Sequence, residues 1–180
     1  MAPAVCTWLR VAAALVALAW PTVGRAQAAE YEAKAAFIYN IALFTSFPSA
    51  SFANGDAATL RLCLLGRDPF DGLLQALQGK PVGGARLAVE RVVSALDAIR
   101  RCQILFIGES EADSLAALAE ASREAAVLTI ADFKGAARRG VMLELSVQDK
   151  RIAFEFNGAA ARAANISLSS KVLRLAKAVY

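Results

Sequence analysis

Short apolar runs that end at glycine or another turn-forming residue mark the predicted strands of this chain. The runs Leu60 to Gly66 and Cys102 to Gly108 are nearly unbroken, which is typical of strands that are covered on both faces. Ala126 to Ile130 is a third run of this kind, and Ala85 to Val92 alternates between two faces. We take Leu60 to Gly66 as the central strand of an α/β domain.

Helical patterns lie before and between these strands. Ala29 to Phe47 has acidic residues at its start, becomes almost wholly apolar and stops at Pro48, which favours a helix. An acid followed by a proline opens a second predicted helix, Asp68 to about Gln78. Two more helices are predicted from Ala95 to Arg100 and from Ser110 to Ser122, the latter with a capping-box pattern at its start.

The last part of the chain predicts a change in the sheet. Gly140 to Val147 and Arg151 to Asn157 form a predicted hairpin, and Ala159 to Ala164 and Ser170 to Val179 are two closing helices. The earlier strands are predicted to be parallel because each connection between them contains a helix. The sequence therefore predicts a single-domain layered α/β fold, with helices on both faces of a mostly parallel sheet of about six strands that is mixed at the C-terminal hairpin.

The first 28 residues have the character of a targeting segment. Arg10 precedes an apolar segment, Val11 to Trp20, that is too short to span a bilayer, and Ala26-Gln27-Ala28 offers a small-x-small cleavage pattern. We predict a signal peptide over residues 1–28 that is cleaved after Ala28, which leaves residues 29–180 as one exported domain. The alternative is an uncleaved membrane anchor.

Export changes the interpretation of the cysteines. The chain has three, and Cys6 would be lost with the signal peptide. In an oxidising compartment the remaining two, Cys63 and Cys102, are expected to form a disulfide rather than a metal site or a nucleophile. That bridge would close a loop of about 40 residues and stabilise the fold by roughly 4 kcal/mol.

The composition disfavours several classes of function. The chain has no histidine, so the usual general base and every Ser-His or Cys-His nucleophile arrangement are missing. It also lacks a Gly-x-Gly-x-x-Gly motif and a phosphate-binding loop. The formal net charge of +4 includes Arg10 and Arg25 of the predicted leader and is spread along the chain, whereas nucleic acid selects a clustered basic face. We expect no catalytic residue, no cofactor and no nucleic-acid partner.

Acidic residues are densest between Glu109 and Asp113. Three carboxylates at a predicted helix start are typical of solvated side chains that compensate the helix dipole, so we expect no metal site there.

Two predicted strand ends form a candidate ligand site. In open α/β sheets, ligands bind at the carboxyl ends of strands where the strand order reverses. If the strands Leu60 to Gly66 and Cys102 to Gly108 are neighbours, two helix N-termini converge at that edge. Arg67, Asp68 and Ser110 are then candidates for holding a small anion. The alternative is that Asp68 and Ser110 only cap helices.

A group of polar residues follows the last predicted strand. Glu155 alternates with two phenylalanines and therefore faces away from the core. The polar side chains after it either serve as caps and turns or form a patch for a protein partner. The candidate partner-binding residues are Glu155, Asn157, Arg162, Ser169, Ser170 and Lys171.

Three parts of the sequence resemble the YfiR family of periplasmic regulators. The early part is Lys34 to Thr45, followed by Phe47-Pro48 where the family usually has Trp-Pro. The middle part is Leu62 to Gly66 together with Cys102 to Ile107. The late part consists of Phe154 to Asn157, Ala160 to Arg162 and Ile166 to Ala176.

The resemblance implies a non-enzymatic repressor that binds the periplasmic sensor domain of an inner-membrane diguanylate cyclase and lowers cyclic-di-GMP synthesis. It also implies that Cys63 and Cys102 correspond to the family's structural disulfide and that redox state can tune the repressor. Some family members carry a second cysteine pair, which this chain lacks. We expect a periplasmic homodimer whose apolar N-terminal helix either fills the core or docks on a second copy or another protein. The alternative is a periplasmic small-ligand sensor that passes occupancy to another membrane receptor.

Overall fold

A computed structural model describes residues 22–52 and 58–180. The apolar segment Val11 to Trp20 and Cys6 lie outside these ranges. The helices are α1 (Thr22–Leu43), α2 (Ala95–Arg101), α3 (Leu115–Glu124), α4 (Gly158–Ala163) and α5 (Ser170–Leu173). Within the described ranges, no helix combines the length and the apolar character that crossing a membrane requires.

The described residues also form ten strands. They are β1 (Thr45–Ser46), β2 (Thr59–Leu65), β3 (Pro81–Val82), β4 (Ala85–Val92), β5 (Ile104–Ile107), β6 (Leu128–Ala131), β7 (Leu143–Gln148), β8 (Arg151–Phe156), β9 (Ser167–Leu168) and β10 (Ala178–Val179). β1 and β9 form a small antiparallel sheet of their own, and the other strands form the main sheet.

The main sheet has eight strands in the order β10-β8-β7-β6-β5-β2-β4-β3. The pairs from β4 through β2, β5 and β6 to β7 are parallel, whereas β7 and β8 form an antiparallel hairpin. The predicted mostly parallel sheet, mixed at the C-terminal hairpin, is confirmed, with the two-residue strands β3 and β10 added at its edges. Since β4 lies on one side of β2 and β5 on the other, the strand order reverses between β2 and β5.

Both faces of the central strands are covered by helices, as predicted. On one face, Leu62 of β2 and Phe106 of β5 are fully buried in the same cluster as Ile38 of α1. On the other face, Cys63 and its neighbours pack with Leu115 at the start of α3 and with apolar residues of α2. Burial on both faces explains why the strand sequences are continuous apolar runs.

The disulfide between Cys63 and Cys102 is present. It joins the middle of β2 to the residue that follows α2, with a Cα–Cα distance of 5.9 Å. Both cysteines are buried, so the bond fixes α2 against the sheet.

Helix α1 differs from the predicted Ala29 to Phe47 at both ends. It already includes Thr22, so the predicted cleavage position after Ala28 lies within the helix, and that cleavage stays a prediction. It ends at Leu43, because the Thr45 hydroxyl donates to the carbonyl oxygen of Ile41 at 2.7 Å and Thr45 then pairs with Leu168 in the small sheet.

The predicted helix from Asp68 to Gln78 was wrong in type and extent. The Asp68 carboxylate accepts a hydrogen bond from the backbone N–H of Phe70 at 2.8 Å, as a helix cap would. Asp71 and Gly72 then take left-handed backbone conformations, with φ of 49° and 84°, which stop an α-helix. A 3₁₀ helix, Leu73–Leu77, follows.

Two further helices are present, but one starts later and the other ends earlier than predicted. The segment Glu109–Ser114 is a 3₁₀ helix and α3 starts only at Leu115, because the Ser110 hydroxyl binds another loop instead of capping. The predicted helix Ser170 to Val179 ends at Leu173. The N–H of Lys177 donates to Phe154 at 2.8 Å, and the chain then joins the main sheet as β10.

Candidate functional site

The carboxyl ends of β2, β5 and β6 meet at one edge of the sheet, beside α1. Leu65, Ile107 and Ala131 are paired at the last positions of the three strands, so the loops that follow lie side by side. A cavity of about 370 Å³ opens there, which we call the strand-end cavity. It is lined by Tyr31, Arg67, Pro69, Glu109, Ser110 and Asp132. Because β2 and β5 are neighbours, this cavity lies where the strand order reverses.

The structure gives the three predicted ligand residues different roles. Arg67 and Ser110 line the cavity, whereas Asp68 does not. The two carboxylate oxygens of Asp68 accept hydrogen bonds from the N–H of Phe70 and from the Arg91 guanidinium, the latter at 3.0 Å. Asp68 therefore organises its own loop.

Ser110 and Gly108 bring the β2 and β5 loops into contact. The Ser110 hydroxyl accepts a hydrogen bond from the backbone N–H of Arg67 at 2.9 Å. A Cβ atom on Gly108 would lie 2.5 Å from the Arg67 carbonyl oxygen, closer than a side chain tolerates. The glycine therefore permits the close approach that positions Arg67.

A buried ion pair that we did not predict joins α1 to the loop after β6, beside the strand-end cavity. The ammonium of Lys34, on α1, lies 3.1 Å from the Asp132 carboxylate and 2.6 Å from that of Glu30. The Lys34 and Asp132 side chains are only 4% and 7% exposed. The sequence held a signal for each of them, since Lys34 opens an apolar stretch and Asp132 comes directly after the residues of β6.

Acidic groups dominate the electrostatics around Tyr31. Partial burial of the ring, the negative charge of Asp132 and a hydrogen bond to that carboxylate raise the pKa of Tyr31 from 10.0 to about 12, with smaller contributions from Glu30 and Glu109. The hydroxyl therefore stays protonated at neutral pH, with its hydrogen donated to the Asp132 carboxylate.

Arg67 and Glu109 are the exposed charges of the cavity. Within residues 22–52 and 58–180, neither side chain forms an ion pair or a side-chain hydrogen bond. Among the described residues that line the cavity, Arg67 is thus a cation and Glu109 an anion without a side-chain partner.

Two of the predicted partner-binding residues serve as caps. The Asn157 side chain accepts from the N–H of Ala160 and donates to the carbonyl oxygen of Ala137, both at 2.8 Å, so it starts α4 and holds a neighbouring loop. The Ser169 hydroxyl caps α5 by accepting from the N–H of Lys171 at 3.4 Å.

Glu155 belongs to a small surface network at the sheet edge. The Tyr180 hydroxyl donates to its carboxylate at 2.5 Å and accepts from the Arg138 guanidinium at 3.4 Å. Lys177 lies 3.8 Å from the same carboxylate. This network attaches the C-terminal residues to β8.

The other predicted residues, Arg162, Ser170 and Lys171, are exposed. Ser170 and Lys171 adjoin the end of α1, because the N–H of Ser169 donates to the Phe44 carbonyl oxygen at 2.9 Å. Leu43 and Phe44 are 41% and 47% exposed, although both are large and apolar. We call Leu43, Phe44, Ser170 and Lys171 the α1–α5 surface. Leu43 and Phe44 belong to the predicted apolar helix for which docking on another protein was one expectation, but they were not named as partner-binding residues.

A family model described as YfiR/HmsC-like matches residues 31–177, which is most of the chain. No curated protein matches the sequence significantly.

Among solved structures, the chain is similar to a conserved domain protein from Vibrio cholerae, with 12% identity and a TM-score of 0.57, covering 83% of this chain and 60% of that one. This likeness concerns the fold alone, and the chain spans less than two thirds of the Vibrio protein. A weaker likeness is to an ABC domain in complex with L-Trp from Streptococcus pneumoniae, with 8% identity and a TM-score of 0.49, covering 67% of this chain and 55% of that one. Another is to an O-acetylhomoserine sulfhydrylase from Wolinella succinogenes, with 18% identity and a TM-score of 0.38, covering 54% of this chain and 33% of that one.

Proposed function

Because the chain belongs to the YfiR/HmsC-like family, we propose that it is a periplasmic negative regulator that binds the sensor domain of an inner-membrane diguanylate cyclase and represses cyclic-di-GMP synthesis. The family match over residues 31–177 carries this proposal. Membership supports a periplasmic regulatory role in general, in a family that is generally non-enzymatic. The identification of the partner as a diguanylate cyclase goes beyond that general role and is our proposal.

The α1–α5 surface is the contact region that we propose for this partner. Protein interfaces typically have an apolar centre with a polar rim, and their binding energy is concentrated in a few large side chains. Phe44 and Leu43 supply the centre, and Ser170 and Lys171 supply part of the rim. Ser169 supports the contact indirectly, because it caps α5 and binds the Phe44 carbonyl.

Glu155, Asn157 and Arg162 have a secondary part in this proposal. Arg162 is exposed on α4 and remains available for a partner. Asn157 acts through the start of α4, and Glu155 through its attachment of the C-terminal residues. A homodimer and a redox response remain predictions. The redox response would act through the buried disulfide, whose reduction releases the link between β2 and α2.

The experiment that tests the partner is cross-linking of the tagged protein in the periplasm of its host, followed by identification of the attached membrane proteins. Recovery of a protein with a periplasmic sensor domain and a cytoplasmic diguanylate cyclase domain supports the proposal. Its recovery should fall with Phe44→Ala and persist with Val93→Ala. Val93 is a matched control because it is 90% exposed and lies beside α2, on the opposite face of the sheet from α1. Recovery of a different class of receptor contradicts the proposal that the partner is a diguanylate cyclase.

A further inference from the structure

We propose that a surface near the C-terminal end of the chain docks on an anionic phospholipid bilayer. This surface comprises Lys171, Arg174, Leu175 and Lys177, and we call it the C-terminal basic surface. Its cations contact the lipid phosphates, and Leu175 enters the region between the headgroups and the acyl chains. The inference goes beyond the proposed function, which concerns a protein partner. It does not depend on that function, because the bilayer attracts the surface whether or not it contains a cyclase.

The charge of the last part of the chain favours an anionic partner. Residues 158–180 contain four basic side chains and no acidic side chain. The four basic residues, Arg162, Lys171, Arg174 and Lys177, are all exposed. Each basic residue near an anionic lipid surface strengthens binding by about fivefold.

These cations are available to a partner. In the part of the chain that the structure describes, the side chains of Lys171 and Arg174 form no ion pair and no hydrogen bond. Lys177 lies 3.8 Å from the Glu155 carboxylate, but the Tyr180 hydroxyl also donates to that carboxylate. The Lys177 side chain is 54% exposed and therefore also reaches the solvent.

Leu175 supplies the apolar part of the surface. Its backbone N–H donates to the carbonyl oxygen of Val172 at 2.9 Å, so the helical spacing of α5 continues to this residue. Val172 and Leu173 pack against the core, whereas Lys171 and Arg174 lie on the opposite, exposed side together with Leu175. Leu175 is 73% exposed, although leucine there contributes little to the core. A large apolar side chain among cations is typical of segments that lie in a membrane interface.

The mobility of the cations favours lipid headgroups over the fixed charges of a folded protein. Arginine recognises a protein carboxylate best in a fixed bidentate geometry, yet no described residue holds the Arg174 guanidinium. Lipid headgroups move and attract cations without such a geometry. The backbone is held at both ends, because the N–H of Ser169 donates to Phe44 and that of Lys177 to Phe154. The surface between these two anchors is therefore presented as a unit.

The C-terminal basic surface adjoins the partner contact that we propose. Lys171 belongs to both this surface and the α1–α5 surface, so the two are continuous. Helix α5 has only four residues, so the contact lies on the bilayer and does not cross it. Docking brings the α1–α5 surface close to the bilayer in which a membrane-anchored partner is inserted.

The test is co-flotation of the purified protein with phospholipid vesicles. The protein is taken from the periplasm of producing cells, and mass spectrometry confirms that wild type and variants share one N-terminus. Vesicles of equal parts phosphatidylglycerol and phosphatidylcholine supply the anionic surface, and pure phosphatidylcholine vesicles supply the neutral one. We expect binding to the anionic vesicles to be at least about tenfold stronger and to weaken as the salt concentration rises.

Two variants locate the contact. The double variant Lys171→Gln, Arg174→Gln should weaken binding to the anionic vesicles by at least about tenfold, because it removes two cations from the surface. Leu175→Ser should weaken it by about fivefold or more, because the serine side chain gains little from entering the interface. All three side chains are exposed, so we expect both variants to fold.

Two matched controls change the same properties elsewhere. The double variant Arg67→Gln, Arg100→Gln removes two exposed cations, and Val93→Ser removes an apolar side chain that is 90% exposed. Both controls should bind as the wild type does. The proposal is wrong if the wild type floats with neither kind of vesicle, if it floats equally with both, or if the controls lose as much binding as the C-terminal variants. The comparison of the two vesicles needs only the wild type, so it is decisive even if a variant does not fold. The vesicles contain no protein, so failure here leaves the proposed repression of a cyclase untouched.

Discussion

Lys34 and Asp132, which are 98 residues apart in the sequence, form a buried ion pair with 3.1 Å between the ammonium and the carboxylate. The pair joins α1 to the residue after β6, so it connects the N-terminal helix to the edge of the sheet that carries the strand-end cavity. Burying two charges carries a desolvation cost, and such a pair is sensitive to removal of one partner.

Replacing Asp132 by Asn should lower the free energy of unfolding by about 3 kcal/mol, because the Lys34 ammonium stays buried with Glu30 as its remaining carboxylate. Chemical denaturation measures this loss, with Asp113→Asn as an exposed control. The double variant Lys34→Met, Asp132→Leu should lose less than the single one, since it buries no charge. A single variant as stable as the control would contradict the structural role of the pair.

The disulfide should contribute roughly 4 kcal/mol to stability on the chain-entropy estimate. We expect the double variant Cys63→Ala, Cys102→Ala to melt well below the wild type in non-reducing buffer. Under reducing conditions that open the bond, the wild type should approach the variant. Melting of the two proteins within a degree of each other without reductant would mean that the bond is irrelevant to the fold.

Gly108→Ala should destabilise the protein by about 1–3 kcal/mol, because the added methyl group meets the Arg67 carbonyl oxygen at 2.5 Å and the backbone must shift. Gly84→Ala is the matched control, since a Cβ there has nothing within 4 Å. Urea denaturation of both variants checks the difference. Equal stability would show that the two loops separate without cost.

The raised pKa of Tyr31 predicts a loss of stability at high pH. The folded protein disfavours the tyrosinate, so the Tyr31 side chain contributes its full stabilisation while the pH is below its ordinary pKa of 10.0. That stabilisation is lost as the pH rises from there through the folded pKa of about 12. Tyr31→Phe cannot ionise and should lose less stability over that interval. Denaturation curves at neutral and alkaline pH compare the two proteins. Parallel losses in both would place the alkaline sensitivity in other groups.

The fold was largely predictable because its strands are continuous apolar runs with clear ends. β4 has the predicted bounds, Ala85–Val92, and α2 is longer than predicted by a single residue. The hairpin was found from its alternation, and its turn residues Asp149 and Lys150 both have positive φ.

The errors arose where tertiary contacts override a local signal. Ser110 has the sequence of a helix cap, yet its hydroxyl serves the Arg67 loop, which lies 43 residues earlier. The residues after Asp68 begin like a helix, but left-handed conformations at Asp71 and Gly72 stop it.

The candidate sites were predictable only in part. The sequence identified the strand ends and Arg67, whereas Lys34 and Asp132 required the three-dimensional pairing of distant segments. The exposure of Phe44 likewise depends on where α1 ends and on its neighbours in the fold.

The most direct test of the proposed repression is the cyclic-di-GMP level of the native host, measured with and without this protein. We predict that deletion raises the level and that the wild-type chain and Val93→Ala both restore it. The double variant Phe44→Ala, Lys171→Glu should fail to restore it at an equal periplasmic amount. An unchanged cyclic-di-GMP level after deletion would contradict the account.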